Sequence, residues 1–463
     1  MGIADGYSRA SFGRRIGVFA FQSGPGAENA FSGVATTYSD GVPVLLLPLG
    51  HPREKAGLQP YFSAVRSYSP TTKHVEQMCG SGSVADSMRR AYSLLRTGSP
   101  GPVMVEIPAD VAKEEVKSFD YQPIKATRAA ADPHDVEEVA RVLLEAQRPL
   151  IHAGQGVLYA EAWSELKQFA ELFHAPVMTT LAGKGAFPEN HALSLGPGYR
   201  MVPQPISHVM NCADVVCGVG CSFSRHHQSM QIPSGKILVH ATNNERDINK
   251  NYSTQYPILG DAKLVLRQLI DAVKDRLGNR GSQERLGMVE EVKKAKKDWL
   301  KGWMPKLTSD EVPLNPYRVI WDLMETLDPR NVIITHDSGS PRDQLAPFYR
   351  AVEPGGYIGW GKSHTLGTGL GLIMGAKMAH PEKIAINVMG DAAFGMVGLD
   401  FETAVRNRIP IITVVLNNSI MAVNFDNMPI SHDRYHAREI GGNYADIARA
   451  LGATASGSKS PQT

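Results

Sequence analysis

Asp391 and Asn418 are the residues whose types and spacing point most directly to chemistry. They stand in the stretch 384–418, IAINVMGDAAFGMVGLDFETAVRNRIPIITVVLNN. One carboxylate and one amide oxygen suit a hard divalent cation such as Mg²⁺. That ion keeps few protein ligands and shares the rest with phosphate and water. A loop aspartate taken alone is more often just solvated. The elements around the pair are what sharpen it.

Residues 384–389 form a short apolar run of the length and composition of a buried strand. Gly390-Asp391-Ala392 makes the turn. Apolar residues then recur at helical spacing through Met396, Leu399, Ala404 and Val405, and Pro410 ends the helix. Residues 411–416 are a second buried strand that delivers Asn417 and Asn418 at its carboxyl end. The strands of a parallel βαβ unit end on one edge of the sheet, where open α/β sheets bind ligands. The helix start adds free N–H groups for an anion.

GD, a helix of this length, a second strand and then NN resembles the thiamine diphosphate signature of the decarboxylase and acetohydroxyacid synthase superfamily. The residue after GD is commonly Gly there and is Ala392 here. The resemblance implies thiamine diphosphate held through Mg²⁺ by Asp391, Asn418 and the backbone carbonyl of Ile420. Gly390, Ala392, Ala393 and Met421 would then lie around the cofactor.

The whole chain fits an α/β protein of three doubly wound parallel-sheet domains. Its 463 residues suit about three domains, and 43% apolar and 20% charged residues are ordinary for a globular protein. A net charge of +2 gives no footprint for nucleic acid. No stretch approaches a membrane span, and MGIADGYSRA has neither the basic start nor the apolar core of a signal peptide. Cys79, Cys212, Cys217 and Cys221 show no paired metal spacing and read as apolar residues of a cytoplasmic protein.

Residues 1–112 carry ADGYSR, SGPGAEN and DGVP in that order. They resemble the superfamily's pyrimidine-binding domain, which implies cofactor contacts from Ser23, Gly24, Pro25, Gly26 and Asn29. The family has a glutamate just ahead of the ADGY helix that helps activate the cofactor; that position falls before Met1. The last residues, SGSKSPQT, are polar and aperiodic. The expectation is a chain truncated at both ends, with a non-catalytic cofactor-binding remnant as the alternative. Gln59 matches a family glutamine that approaches the substrate and counts as a catalytic candidate, although Pro60 replaces the glutamate that follows it there.

Residues 130–275 repeat a βα pattern and resemble the family's central Rossmann-like domain. Gly154-x-Gly156 and Gly218-x-Gly220 are fragments of a dinucleotide fingerprint, and neither is complete. Some members bind FAD here, and the sequence leaves FAD open. Residues 276–312, rich in Lys, Arg and Glu, read as a solvated helical linker.

Residues 313–463 form the expected diphosphate- and Mg²⁺-binding domain. The segment 332–339, VIITHDSG, resembles a family motif beside the diphosphate, which implies Asp337 and Gly339. In GWGKSHTLGTGLG, glycine density permits close backbone approach to a ligand. Leu366 matches the large apolar residue on which the family bends its cofactor into a V, and counts as catalytic in that sense. His364 matches a position that contacts the cofactor through its carbonyl. The Lys362 and His364 side chains are candidate acid/base groups, with plain solvation as the alternative. Arg342 is placed either on a carboxylate or in a surface salt bridge.

The implied activity is decarboxylation of a 2-oxo acid with transfer to a second 2-oxo acid, as in acetolactate synthase large subunits. A homodimer or homotetramer is implied, with the site between subunits. A tryptophan of that family's acceptor pocket corresponds to Asn427 here, which leaves other 2-oxo acid lyases or decarboxylases open.

Overall fold

The computed structural model describes residues 1–116, 118–278, 285–421 and 428–461. Among these residues the strands form three parallel sheets with helices packed against them. The first sheet holds β1 (Gly17–Phe21), β2 (Val44–Gly50), β3 (His74–Gln77) and β4 (Val103–Pro108), in the order β1-β2-β4-β3. The second holds β5 (Pro149–Ala153), β6 (Val177–Thr179), β7 (Ser194–Pro197), β8 (Val215–Val219), β9 (Ile237–Thr242) and β10 (Tyr256–Leu259). The third holds β11 (Val332–His336), β12 (Tyr357–Ile358), β13 (Ile384–Gly390) and β14 (Ile412–Leu416), in the order β12-β11-β13-β14.

Central strands covered on both faces must be apolar throughout rather than alternating. β5, β8 and β11 are buried at every position, and β13 is buried from Ala385 to Met389. Edge strand β14 keeps only half-buried residues after an exposed Ile412. The second sheet runs β10-β9-β8-β5-β6-β7, a doubly wound order whose switch point lies between β5 and β8. Its two glycine turns meet there. Gly156 N donates to Gly220 O at 2.8 Å, and a Cβ on Gly156 would lie 2.7 Å from Gly220 Cα. Those glycines serve chain-on-chain packing.

The first and third sheets are joined by helices Gly2–Ala10 and Thr368–Ala379. Gly2 and Gly6 share one face of the first helix, and Gly371 and Gly375 one face of the second. A Cβ at Gly6 would stand 2.0 Å from Leu372 O, and one at Gly375 would stand 2.0 Å from Ile3 O. Only backbone fits between them. Gly6→Ala is therefore expected to cost about 3 kcal/mol as an overpacked contact. Urea titration of the variant checks this, and a loss within error of zero would refute it.

Two local expectations change. The helix predicted from Asp391 onward is broken into Asp391–Val397, a 3₁₀ turn at Gly398–Asp400 and Phe401–Arg406. Gly398 lies under the Phe394 ring, 2.6 Å from where its Cβ would be. The break turns Met396 (59% exposed) and Leu399 (75% exposed) outward, although their spacing suggested a buried stripe. The segment expected as a solvated linker contains helix Leu286–Leu307, and that helix has a buried face. Met288, Val292 and Leu307 are buried, and Trp299 stacks on Phe348 at 5.1 Å. Its charges are also engaged: Arg148 binds Glu291 at 2.7 Å and Lys296 Nζ donates to Ser194 O at 2.8 Å.

Candidate active site

β13 and β14 pair in parallel, with Gly390 opposite Leu416. Asp391 and Asn417–Asn418 therefore leave the sheet side by side. Asp391 is buried, with its Oδ1 accepting from Ala392 N at 2.9 Å and its Oδ2 from Ser419 N at 2.6 Å. Asn418 Oδ1 accepts from Ile420 N at 3.2 Å. The turn is held from behind, where Ile440 N donates to Ser419 O at 3.0 Å and Met421 N to Arg438 O at 2.8 Å. Each carboxylate oxygen keeps a further lone pair for a cation.

These residues open on a cleft of about 2130 Å³ that runs along β14. Gly390, Asp391, Ala392, Ala393, Asn418, Ile420 and Met421 all line it. So do Gly339, His364 and Leu366. Sequence reasoning had not assigned Ser338, Ser340, Pro341, Gln344 or Asn417 to the cleft, and all five line it. Gly339 has φ +87° with open space at its Cβ position, so a ligand can approach its backbone. The oxygens at the Asp391 end are one carboxylate, one amide and nearby carbonyls, a donor set suited to Mg²⁺ with a phosphate as co-ligand. Among the described residues no cluster of three or more His, Cys, Asp or Glu side chains offers an alternative metal site.

Asp337 behaves differently. It is fully buried behind the cleft wall. Its oxygens accept from Ser338 N at 2.8 Å, Gly367 N at 2.9 Å and Gly369 N at 2.9 Å. Burial raises its pKa, and the three N–H groups work against that rise. The carboxylate ties the end of β11 to the start of helix Thr368–Ala379 and so sets Leu366. Next to it, His336 stacks on Trp360 at 5.3 Å.

The predicted residues of the first sheet are not brought to this cleft. Its described lining begins at Val312, so Ser23, Gly24, Pro25, Gly26, Asn29 and Gln59 lie outside it. Gln59 sits in an exposed loop. Asn427 belongs to residues 422–427, outside the described residues. Lys362 is exposed and does not line the cleft; its backbone N donates to Asp40 Oδ1 at 3.2 Å.

That last bond exposes a connection the motifs concealed. Arg9 of ADGYSR binds Asp5 through its Nε at 2.5 Å and Asp40 of DGVP through an Nη at 3.0 Å. Thr37 Oγ1 donates to Asp5 Oδ2 at 2.7 Å. Asp40 also accepts from Gly361 N at 3.3 Å, and its carbonyl accepts from Gln155 Nε2 at 2.8 Å. Asp40 thus touches all three units, and its carboxylate holds the 359–366 loop that carries His364 and Leu366.

Two buried histidines make the protein acid-sensitive. Burial, with Arg342 adding to it, lowers the His336 pKa to about 3. Burial, with His240 adding to it, lowers that of His152 to about 4. Both folded values lie below the unfolded value of about 6.5, so the unfolded chain takes up more protons. Stability is full above that value and is lost as pH falls through it toward the folded ones. Each histidine should contribute about 2 kcal/mol of loss between pH 7 and pH 5. Melting temperatures at the two pH values test this: His152→Gln should shrink the drop, and an equal drop would sink the assignment.

Three family models match the chain: "Thiamine pyrophosphate enzyme, N-terminal TPP binding domain" over residues 1–78, the "central domain" over 136–269, and the "C-terminal TPP binding domain" over 337–462. The "Probable acetolactate synthase large subunit" of Methanocaldococcus jannaschii is 32% identical, across 91% of this chain and 72% of its own length. Acetolactate synthase isozyme 3 large subunit of Escherichia coli K12 is 27% identical, across 91% of this chain and 74% of its own. Glyoxylate carboligase of Escherichia coli O157:H7 is 27% identical, across 91% and 71%. The chain belongs to the thiamine pyrophosphate enzyme family.

Proposed function

We propose that this protein uses thiamine diphosphate and Mg²⁺ to decarboxylate a 2-oxo acid and join the remaining acyl unit to a second 2-oxo acid, as an acetolactate synthase-like enzyme. The observation that carries this reading is the delivery of Asp391 and Asn418 by adjacent parallel strands to one cleft that Leu366 also lines. Asp391, Asn418 and the Ile420 carbonyl would hold the metal, and the metal would hold the diphosphate. Gly339, Gly390, Ala392 and Ala393 leave room beside it, and Leu366 supports the rings. When bound, the cofactor supplies the electron sink that decarboxylation needs. The chain's own residues orient it. His364 borders the same space. Burial lowers its pKa, with Arg342 and His227 adding to the effect, which favours its neutral form.

The segment 23–29 lies outside its own chain's cleft, and Met396 and Leu399 are exposed on the helix and turn that follow Asp391. Both features support a homodimer or homotetramer in which one copy's 23–29 segment and Gln59 approach another copy's cleft. The four free cysteines suit a cytoplasmic protein. The meeting of Gly156 and Gly220 accounts for the central glycines without FAD. A second reading concerns the acid used. A glyoxylate carboligase is as similar as an acetolactate synthase isozyme, so a lyase or decarboxylase for another 2-oxo acid fits equally well.

Calorimetry of thiamine diphosphate with and without Mg²⁺, followed by a screen of 2-oxo acids for CO₂ release, tests the proposal. Binding that requires the metal is expected. A folded protein that takes no cofactor with Mg²⁺ present would overturn it.

A further inference from the structure

Tyr444 begins helix Tyr444–Ala450 and lines the cleft beside Gly442, Asn443 and Ala445. It is 9% exposed. Its ring meets that of Phe394 edge-on at 5.4 Å, in an apolar cluster with Met389, Ala393 and Phe401. A phenylalanine would suit such surroundings as well. The hydroxyl is buried and has no hydrogen-bond partner among the described residues. An unmet buried hydroxyl costs about 1–3 kcal/mol. Arg342, also buried in this unit, has by contrast spent its Nε on Asp343 Oδ1 at 2.9 Å.

The phenol stands by the proposed metal set. Asp391 and Phe394 are three residues apart in helix Asp391–Val397, hence neighbours on one face. A ring that packs on Phe394 is therefore near Asp391, and Asp391 is the charge that acts on the hydroxyl. Burial, with Asp391 adding to it, raises the Tyr444 pKa, so the hydroxyl keeps its proton. The segment leading into Tyr444 is fixed to the Asn418 side as well. Ile440 N donates to Ser419 O, and Asn443 Oδ1 caps the helix by accepting from Asp446 N at 3.2 Å. The Asp391 oxygens accept from Ala392 N and Ser419 N, and neither takes the phenol as a partner. The hydroxyl is held beside the metal set without being bonded to it.

We infer that Tyr444 is a positioning residue of the cation site, its hydroxyl accepting a hydrogen bond from a water on the metal beside Asp391. The inference rests on the function proposed above. Mg²⁺ demands octahedral geometry and keeps water where protein oxygens are few. Asp391, Asn418 and the Ile420 carbonyl leave positions for the diphosphate and for water. A divalent ion polarises its water into a stronger donor, and a donor in a buried corner needs an acceptor. The uncommitted phenol oxygen supplies one. Partners of this kind fix the ligand shell without touching the metal.

The test titrates Mn²⁺, a paramagnetic substitute for Mg²⁺, into native and Tyr444→Phe protein with saturating thiamine diphosphate. Electron paramagnetic resonance reads free Mn²⁺, and water proton relaxation reads exchange of the bound water. Cofactor affinity at saturating metal and the melting temperature of metal-free protein are measured alongside. Tyr444→Phe should weaken Mn²⁺ about tenfold to a hundredfold, the span for losing such a partner. Water exchange should quicken, and cofactor affinity at saturating metal should hold. The metal-free variant should melt at least as high as native, because an unmet buried hydroxyl is gone. Unchanged Mn²⁺ affinity overturns the inference, as does unchanged water exchange. Weaker cofactor binding at saturating metal also overturns it, and places the hydroxyl on the cofactor. A lower melting point for the metal-free variant overturns it by giving the hydroxyl a structural partner. If native protein binds no Mn²⁺ with cofactor present, the proposed function fails and this inference with it. That outcome is distinct from native binding with an indifferent variant, which sinks the inference alone.

Discussion

Asp391→Ala is expected to abolish Mg²⁺-dependent binding of thiamine diphosphate while leaving the protein folded. Asp391 is the carboxylate in the cleft's proposed metal set, where its partners are an amide oxygen and a backbone carbonyl. Loss of a group one step removed from a metal already costs about 10- to 100-fold in affinity, so loss of the charged ligand itself should cost at least about 100-fold. The structural penalty is smaller. The variant gives up bonds from Ala392 N and Ser419 N. That is comparable to losing a helix cap, about 1 kcal/mol. The two effects separate in a melting experiment. Saturating cofactor and Mg²⁺ should raise the melting temperature of native protein by mass action and leave that of the variant where it was. An equal rise in both would remove Asp391 from the site.

Arg9→Ala should be the most damaging single change to stability. It leaves Asp5 and Asp40, each 2% exposed, as neighbouring buried carboxylates without their cation. Breaking a buried pair from one side costs about 3–5 kcal/mol, because the remaining charge is uncompensated. Here two charges remain. Removing both acids along with the base, as Asp5→Asn, Arg9→Met and Asp40→Asn together, should recover much of the loss. Denaturant midpoints of the single and triple variants make the comparison. A single-variant loss below about 1 kcal/mol would show the network to be dispensable. The Arg9→Ala protein should also bind cofactor more weakly, because Asp40 would no longer hold Gly361 N and Lys362 N in place.

Much of the third unit was legible because its strands are buried on both faces. Continuous runs such as 384–389 have few other readings, and two of them ending in GD and NN fix the edge where Asp391 and Asn418 meet. Charge-rich composition also set the 276–312 segment apart from the sheet regions on either side. What was not legible has a physical reason in each case. Asp5, Arg9 and Asp40 sit in motifs that resemble a cofactor domain, and nothing local reveals that they neutralise one another across the units. Arg and Asp in a segment otherwise headed for burial were the available signal. The Leu286–Leu307 helix carries so many Lys and Glu residues that its stripe of Met288, Val292 and Leu307 was masked. Apolar spacing beyond Asp391 suggested one helix, and only the place of Gly398 under Phe394 explains the break. The positions of Ser23–Asn29 relative to the cleft depend on how whole units pack, which no local pattern encodes.

The glycine faces of helices Gly2–Ala10 and Thr368–Ala379 constrain motion as well as stability. With backbone touching backbone, neither helix can slide by a turn without driving a carbonyl into a Cα. A lubricating layer of side chains, of the kind that lets packed helices shear, is missing here. The first and third units are therefore keyed together like a tongue in a slot, and the backbone freedom beside the cleft sits at Gly361 and Gly367, whose φ are +134° and +89°.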